Sequence, residues 1–134
     1  MTSQRNHGNE DAPLEALAAQ LREGATPISD HVVDAPWPAT PTGDYALLFE
    51  SIREGYLLHY GEPRLLSGHD DDLALLAGDY LYALGLARLA ARGDDRSVAL
   101  LADLISRCAQ LHAEGRGAEA AQAWREAAET LGLD

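Results

Sequence analysis

Between Asp70 and Arg92 runs the stretch DDDLALLAGDYLYALGLARLAAR, and from Leu73 to Ala87 its only charged residue is Asp79. A surface helix shows one apolar stripe; a helix apolar nearly all round is ordinarily enclosed by others. Asp70, Asp71 and Asp72 crowd its start and Arg88 and Arg92 its last turns, the charge order a helix dipole favours. Gly93 follows, where a left-handed C-terminal cap would sit. The stretch therefore reads as the central buried helix, residues 70–92, of an all-α domain. Within it Asp79, amid Leu76, Ala77, Tyr80 and Leu81, must find a partner or be neutralised. It is expected to be a buried polar anchor between helices, held by Arg53, Arg64, Arg107 or a tyrosine hydroxyl. Length alone would also let Leu73–Ala91 cross a bilayer. Asp79 and Arg88 would each cost on the order of 2.5–3.5 kcal/mol there, so no direct membrane insertion is expected.

The remaining segments supply neighbours for that helix. Residues 1–10 are polar and aperiodic and read as a disordered tail. Asp11 can cap a short helix within residues 11–24, with Leu14, Leu17, Ala18 and Leu21 on one face. Residues 25–43 contain Pro27, Pro36, Pro38 and Pro41, which forbid a regular helix. Ile28, Val32, Val33 and Trp37 nonetheless give this segment apolar anchors. It is either a strap over its own domain or an arm that lies along another subunit, with those four residues as the partner-binding contacts.

Residues 44–134 read as the helical bundle core. Asp44 starts a helix to Tyr60 whose inner stripe is Leu48, Phe49, Ile52, Tyr56, Leu57 and Tyr60, leaving Glu50, Arg53 and Glu54 largely outside it. Gly55 within that helix is a cost or the mark of a close approach. After Gly93, Asp94 or Asp95 opens a helix to about Glu114, Gly115–Gly117 is a break, and 118–131 is the last helix. Short loops of this kind favour antiparallel neighbours. The expected fold is a single-domain bundle of about five helices with a Pro-rich extended segment near its N-terminus.

The net charge is −12 and all ten basic residues are arginine. Binding phosphate backbones needs clustered cations, so nucleic acid is excluded as a partner. The single cysteine, Cys108, rules out an internal disulfide and fits a buried thiol in a reducing compartment. With no basic-then-apolar leader at the N-terminus, the expected location is cytoplasmic. Five histidines and one cysteine form no metal-ligand spacing, and no Gly-rich phosphate loop, GxSxG or HExxH occurs. The three consecutive aspartates fan around a helix axis rather than sharing a face, which suits capping better than Mg²⁺. No catalytic, cofactor or metal residue is therefore expected.

The run from Leu73 to Gly115 resembles part of the trans-isoprenyl (polyprenyl) diphosphate synthase family. The matching elements are Ala77-Gly78-Asp79-Tyr80-Leu81, where members carry AGD[YF]L, then Gly93-Asp94, and upstream Gly61-Glu62-Pro63, which resembles the family's GxP. The likeness covers roughly residues 49–115. It implies an all-α fold. In the register set by GxP, the family's aspartate-rich Mg²⁺ and diphosphate motif falls on Glu50, Ser51 and Glu54, and its paired arginines on His59-Tyr60. Some of these synthases pair a catalytic subunit with a small non-catalytic helical one, and the resemblance implies that second role.

Three functions follow in order of fit. The first is a non-catalytic accessory subunit that binds a larger protein, such as a polyprenyl diphosphate synthase. The second is a structural subunit of an unrelated multi-subunit complex, using residues 25–43 as its strap; a homo-oligomer also stays open. The third is a Mg²⁺-dependent diphosphate-binding enzyme using Glu50, Glu54 and Asp70–Asp72.

Overall fold

The computed structural model describes residues 13–24, 26–42 and 45–133; the expected tail at 1–10 and the capping residues Asp11 and Asp44 lie outside them. Five α-helices follow in order: α1 (Pro13–Glu23), α2 (Ala46–Tyr60), α3 (Asp71–Ala91), α4 (Asp95–Ala113) and α5 (Ala120–Thr130). Single turns of 3₁₀ helix occur at Ser29–His31 and Gly117–Glu119. The described residues contain no strand beyond one isolated antiparallel bridge, Val32 to Leu66, so the single-domain all-α fold stands as expected.

The ends of the helices follow the local chemistry of the chain. The Leu73 amide donates to Asp70 Oδ1 at 2.8 Å, capping α3, and the Ser97 amide donates to Asp94 Oδ1 at 3.1 Å, capping α4. Ser97 Oγ adds a second bond to Asp94 at 2.7 Å, and these bonds hold the Asp94 carboxyl below the usual carboxylate range. Between the two helices Gly93 adopts φ +77°, the left-handed cap, and the Asp94 amide reaches back to the Leu89 carbonyl at 3.1 Å. α1 buries Leu14, Leu17, Ala18 and Leu21, the stripe its periodicity predicts.

The middle of the bundle is α2, not α3. Nine residues of α2 are buried, including Glu50, Ser51 and Glu54, which the periodicity of the sequence leaves outside. α1 and α3 pack along α2, α5 reaches it through Trp124 edge-on to Phe49, and the turn after Gly61 folds back over it. α3 buries only Ala77, Gly78, Leu81, Gly85 and Leu89. Its apolar composition therefore does not reflect enclosure: one side packs on α2, and the other is open. Two cores result. One joins α2, the end of α3, α4 and α5; the other joins α1, the Pro-rich segment, the 65–66 turn and the first half of α3.

Residues 26–42 form the strap. Ile28 is buried, and Val32 and Trp37 pack half-buried on the second core. The Val33 amide donates to the Leu65 carbonyl at 2.7 Å, the Ser67 amide to the His31 carbonyl at 3.0 Å, and Arg22 Nη2 to the Val33 carbonyl at 2.7 Å. Ile28, Val32, Val33 and Trp37, expected as partner-binding contacts, are thus engaged within their own chain. The physical reason lies in the 65–67 turn, whose backbone groups complete those of the strap.

Candidate functional site

Steps of three and four residues place Asp72, Leu76, Asp79, Tyr80, Ala83, Ala87, Ala90 and Ala91 along one side of α3, and all are exposed. Leu75 joins them at the edge. Leu75 is 58% exposed, Leu76 68% and Tyr80 44%; with Tyr60 at the end of α2, 41% exposed, they are the large exposed hydrophobic residues among those described. Single exposed leucines are ordinary, whereas Leu75, Leu76 and Tyr80 stand together on one side of α3. α3 is also the one helix among the described residues long and apolar enough to cross a membrane by length and composition.

Asp79 requires a correction. Its side chain is 73% exposed, not buried, and its contact is His59 Nε2 at 3.4 Å rather than an arginine. The helical phase explains this: Gly78 falls on the side packed against α2, so its neighbour at 79 falls on the open edge. His59 Nε2 also lies 3.1 Å from the Leu75 carbonyl. Both neighbours can only accept, so Nε2 carries the proton and donates.

Among the described residues the buried acids are Glu50 and Glu54, each fully inaccessible. Glu54 Oε2 accepts from the amides of Arg64 at 2.6 Å and Leu65 at 2.8 Å, and Oε1 accepts from Arg64 Nε at 2.9 Å. Arg64 Nη1 forms an ion pair with Glu50 Oε1 at 2.6 Å, but neither Glu50 oxygen has a hydrogen bond of good geometry. Burial pushes the Glu50 carboxyl above its ordinary pKa against the pull of Arg64, and burial lowers the pKa of Arg53 beside them. Glu50 and Glu54 are the positions on which the register expected from Gly61-Glu62-Pro63 would set a Mg²⁺ and diphosphate motif. Here the pair is shut from solvent and turned to Arg64, an arrangement that ties the Gly61–Leu66 turn to α2. Among the described residues, no three His, Cys, Asp or Glu side chains are grouped to hold a metal.

One cluster was not legible in the sequence. Tyr60 stacks on His112, ring centres 4.3 Å apart and planes 9° apart, and Tyr56 Oη stands 2.7 Å from His112 Nε2. His59 sits edge-on to Tyr60 and Tyr82, and Tyr56 meets Trp124. Burial raises the pKa of both Tyr56 and Tyr82, so these hydroxyls stay neutral. Tyr56 and Tyr60, one turn apart on α2, are the only local hint; the His112 contact spans 56 residues. The cluster joins α2 to α4. Cys108 is buried, and desolvation raises its thiol pKa, as its place in the helical pattern implies.

Beside the open face lies a shallow depression of about 230 Å³ between α1 and α3, lined by Gln20, Leu21, Glu23, Gly24, Tyr80, Leu84 and Arg88. Tyr80 is shared, so the face and the depression form one surface. In comparisons with protein-family models, with curated proteins and with solved structures, nothing matches the chain.

Proposed function

We propose that this chain is a non-catalytic helical accessory subunit that binds a larger protein through the open face of α3. The observation that carries the reading is the exposure of Leu75, Leu76 and Tyr80 together, on a helix whose other side is packed. Leaving such a face in water forfeits roughly 1.5–3 kcal/mol for each large side chain that a partner could cover. The resemblance of Ala77–Leu81 to polyprenyl diphosphate synthases supports a large synthase subunit as the first partner to try. Asp79 and Tyr80 of that element lie on the docking face itself.

The test is purification of the full chain from its own cells under native conditions, beside a Leu76→Ser/Tyr80→Ser variant. A stoichiometric partner that is lost in the variant supports the reading. If that partner is a synthase with both aspartate-rich motifs, the specific assignment stands; a different complex removes the synthase and keeps the accessory role. A chain that stays alone and is indifferent to both substitutions ends the proposal.

A further inference from the structure

The face has a chemical polarity that narrows what can cover it. Its first half carries the bulky groups Leu75, Leu76 and Tyr80, with the exposed carboxylates of Asp72 and Asp79 seven residues apart along one edge. Its second half carries only Ala83, Ala87, Ala90 and Ala91 at the same positions, with exposed Arg88 beside them at the rim of the depression. A partner backbone can therefore approach closest over the alanines, and must be slimmer over the leucines.

Charge separates the candidate occupants. A second copy would bring another net charge of −12, and a two-fold antiparallel pairing centred between Leu81 and Tyr82 would set the two Asp79 edges on the same side. Acidic surfaces likewise repel anionic lipid, so a membrane surface is disfavoured. A helix with aliphatic side chains flanked by Lys or Arg satisfies both the apolar stripe and the acidic edge.

Resting on the accessory-subunit reading above, we infer that the occupant of this face is an amphipathic helix of the partner protein. It sets Lys or Arg against Asp72 and Asp79 and large apolar side chains over the Ala83–Ala91 half. One such side chain fits the depression beside Tyr80, next to Leu21 and Leu84. The carboxylates of Asp72 and Asp79 then select the partner and speed encounter, and the leucines and Tyr80 hold it.

A photo-crosslinking amino acid placed at Ala83, in the full-length chain in its own cells, tests this directly. The cross-linked peptide is sequenced, synthesised and titrated against the wild-type protein, Asp72→Asn/Asp79→Asn and Leu76→Ser, each checked for folding by circular dichroism. The expected peptide is helical with Lys or Arg beside its aliphatic stripe. Its affinity falls as salt rises, drops roughly three- to thirty-fold in the Asn pair and is lost in Leu76→Ser. A cross-linked partner segment without basic residues, or one bound equally well by the Asn pair, overturns the inference while leaving the accessory role intact. A cross-link to a second copy of this chain, or to lipid, overturns both. So does the absence of any cross-link.

Discussion

A Cβ on Gly55 of α2 would stand 2.7 Å from the carbonyl oxygen of Gly78 on α3, closer than real side chains come to backbone. The reciprocal holds: a Cβ on Gly78 would meet the His59 ring and the Gly55 carbonyl. Seven residues on, a Cβ on Gly85 would meet Ile52 Cγ1 at 2.6 Å and the Leu48 carbonyl at 3.0 Å. The glycines set how near the two helices lie, and that nearness leaves Ser51 Oγ within 2.9 Å of the Leu81 carbonyl.

Gly85→Leu is therefore expected to destabilise by overpacking, about 1–3 kcal/mol, despite the better helix propensity of leucine. Ala83→Leu, two residues away on the open side, should change stability by no more than about 0.5 kcal/mol. Denaturant unfolding of the two variants side by side checks the packed and open faces at once. Equal losses, or none in either, would contradict the arrangement.

Arg64 carries a larger consequence. Its guanidinium serves Glu50 and Glu54 together, and all three groups are withdrawn from water. Arg64→Met would leave two buried carboxylates with only Arg53 as a nearby countercharge, a loss of about 3–5 kcal/mol. Glu54 would keep its bonds from the amides of Arg64 and Leu65, so the turn should loosen rather than detach. Hydrogen exchange at those two amides would report it, and unchanged protection together with unchanged stability would refute it.

Glu50 gives a pH signature of the opposite kind from most carboxylates. Its folded-state pKa is raised, so the folded protein holds this proton more tightly than the unfolded chain does. The stabilisation it brings is complete below the ordinary glutamate value of 4.5 and is lost as pH rises through the elevated folded value. Glu50→Gln removes that dependence. The variant should gain on the wild type as pH rises from 4.5 toward neutrality, and the gain should shrink on acidification. Unfolding free energies across that range decide it; a difference that does not vary with pH would show that Glu50 titrates normally.

How much of this could be read beforehand follows from what each residue needs. The caps at Asp70 and Asp94, the left-handed Gly93 and the α1 stripe are local, fixed within four or five residues. The role of Gly55 as a close approach was also visible, because a glycine inside a helix needs a reason. Asp79 lies in the open where the sequence puts it inside, because an apolar sequence shows that a helix could be enclosed, not that it is. Nothing within α3 itself distinguishes a helix wrapped by neighbours from one packed on a single side. Glu50 and Glu54 differ from the sequence pattern for the converse reason: the group that lets them be buried, Arg64, lies beyond the helix and acts through a fold-back of the chain. The His112–Tyr60 stack is likewise a product of tertiary structure.

The open face makes the last prediction. Leu76 and Tyr80 are exposed at 68% and 44%, so replacing both by serine removes little packing within the chain. The double variant should unfold within about 0.5 kcal/mol of the wild type. Its behaviour in solution should change more: an apolar patch on an acidic protein binds hydrophobic dye and promotes association at high salt, when the net charge of −12 is screened. Wild-type dye fluorescence should exceed that of the variant, and light scattering in about 1 M salt should rise for the wild type alone. Loss of stability in the variant would instead place these side chains inside the protein. Equal dye binding and equal scattering would mean that the patch is too small to act as a docking surface, whatever its shape.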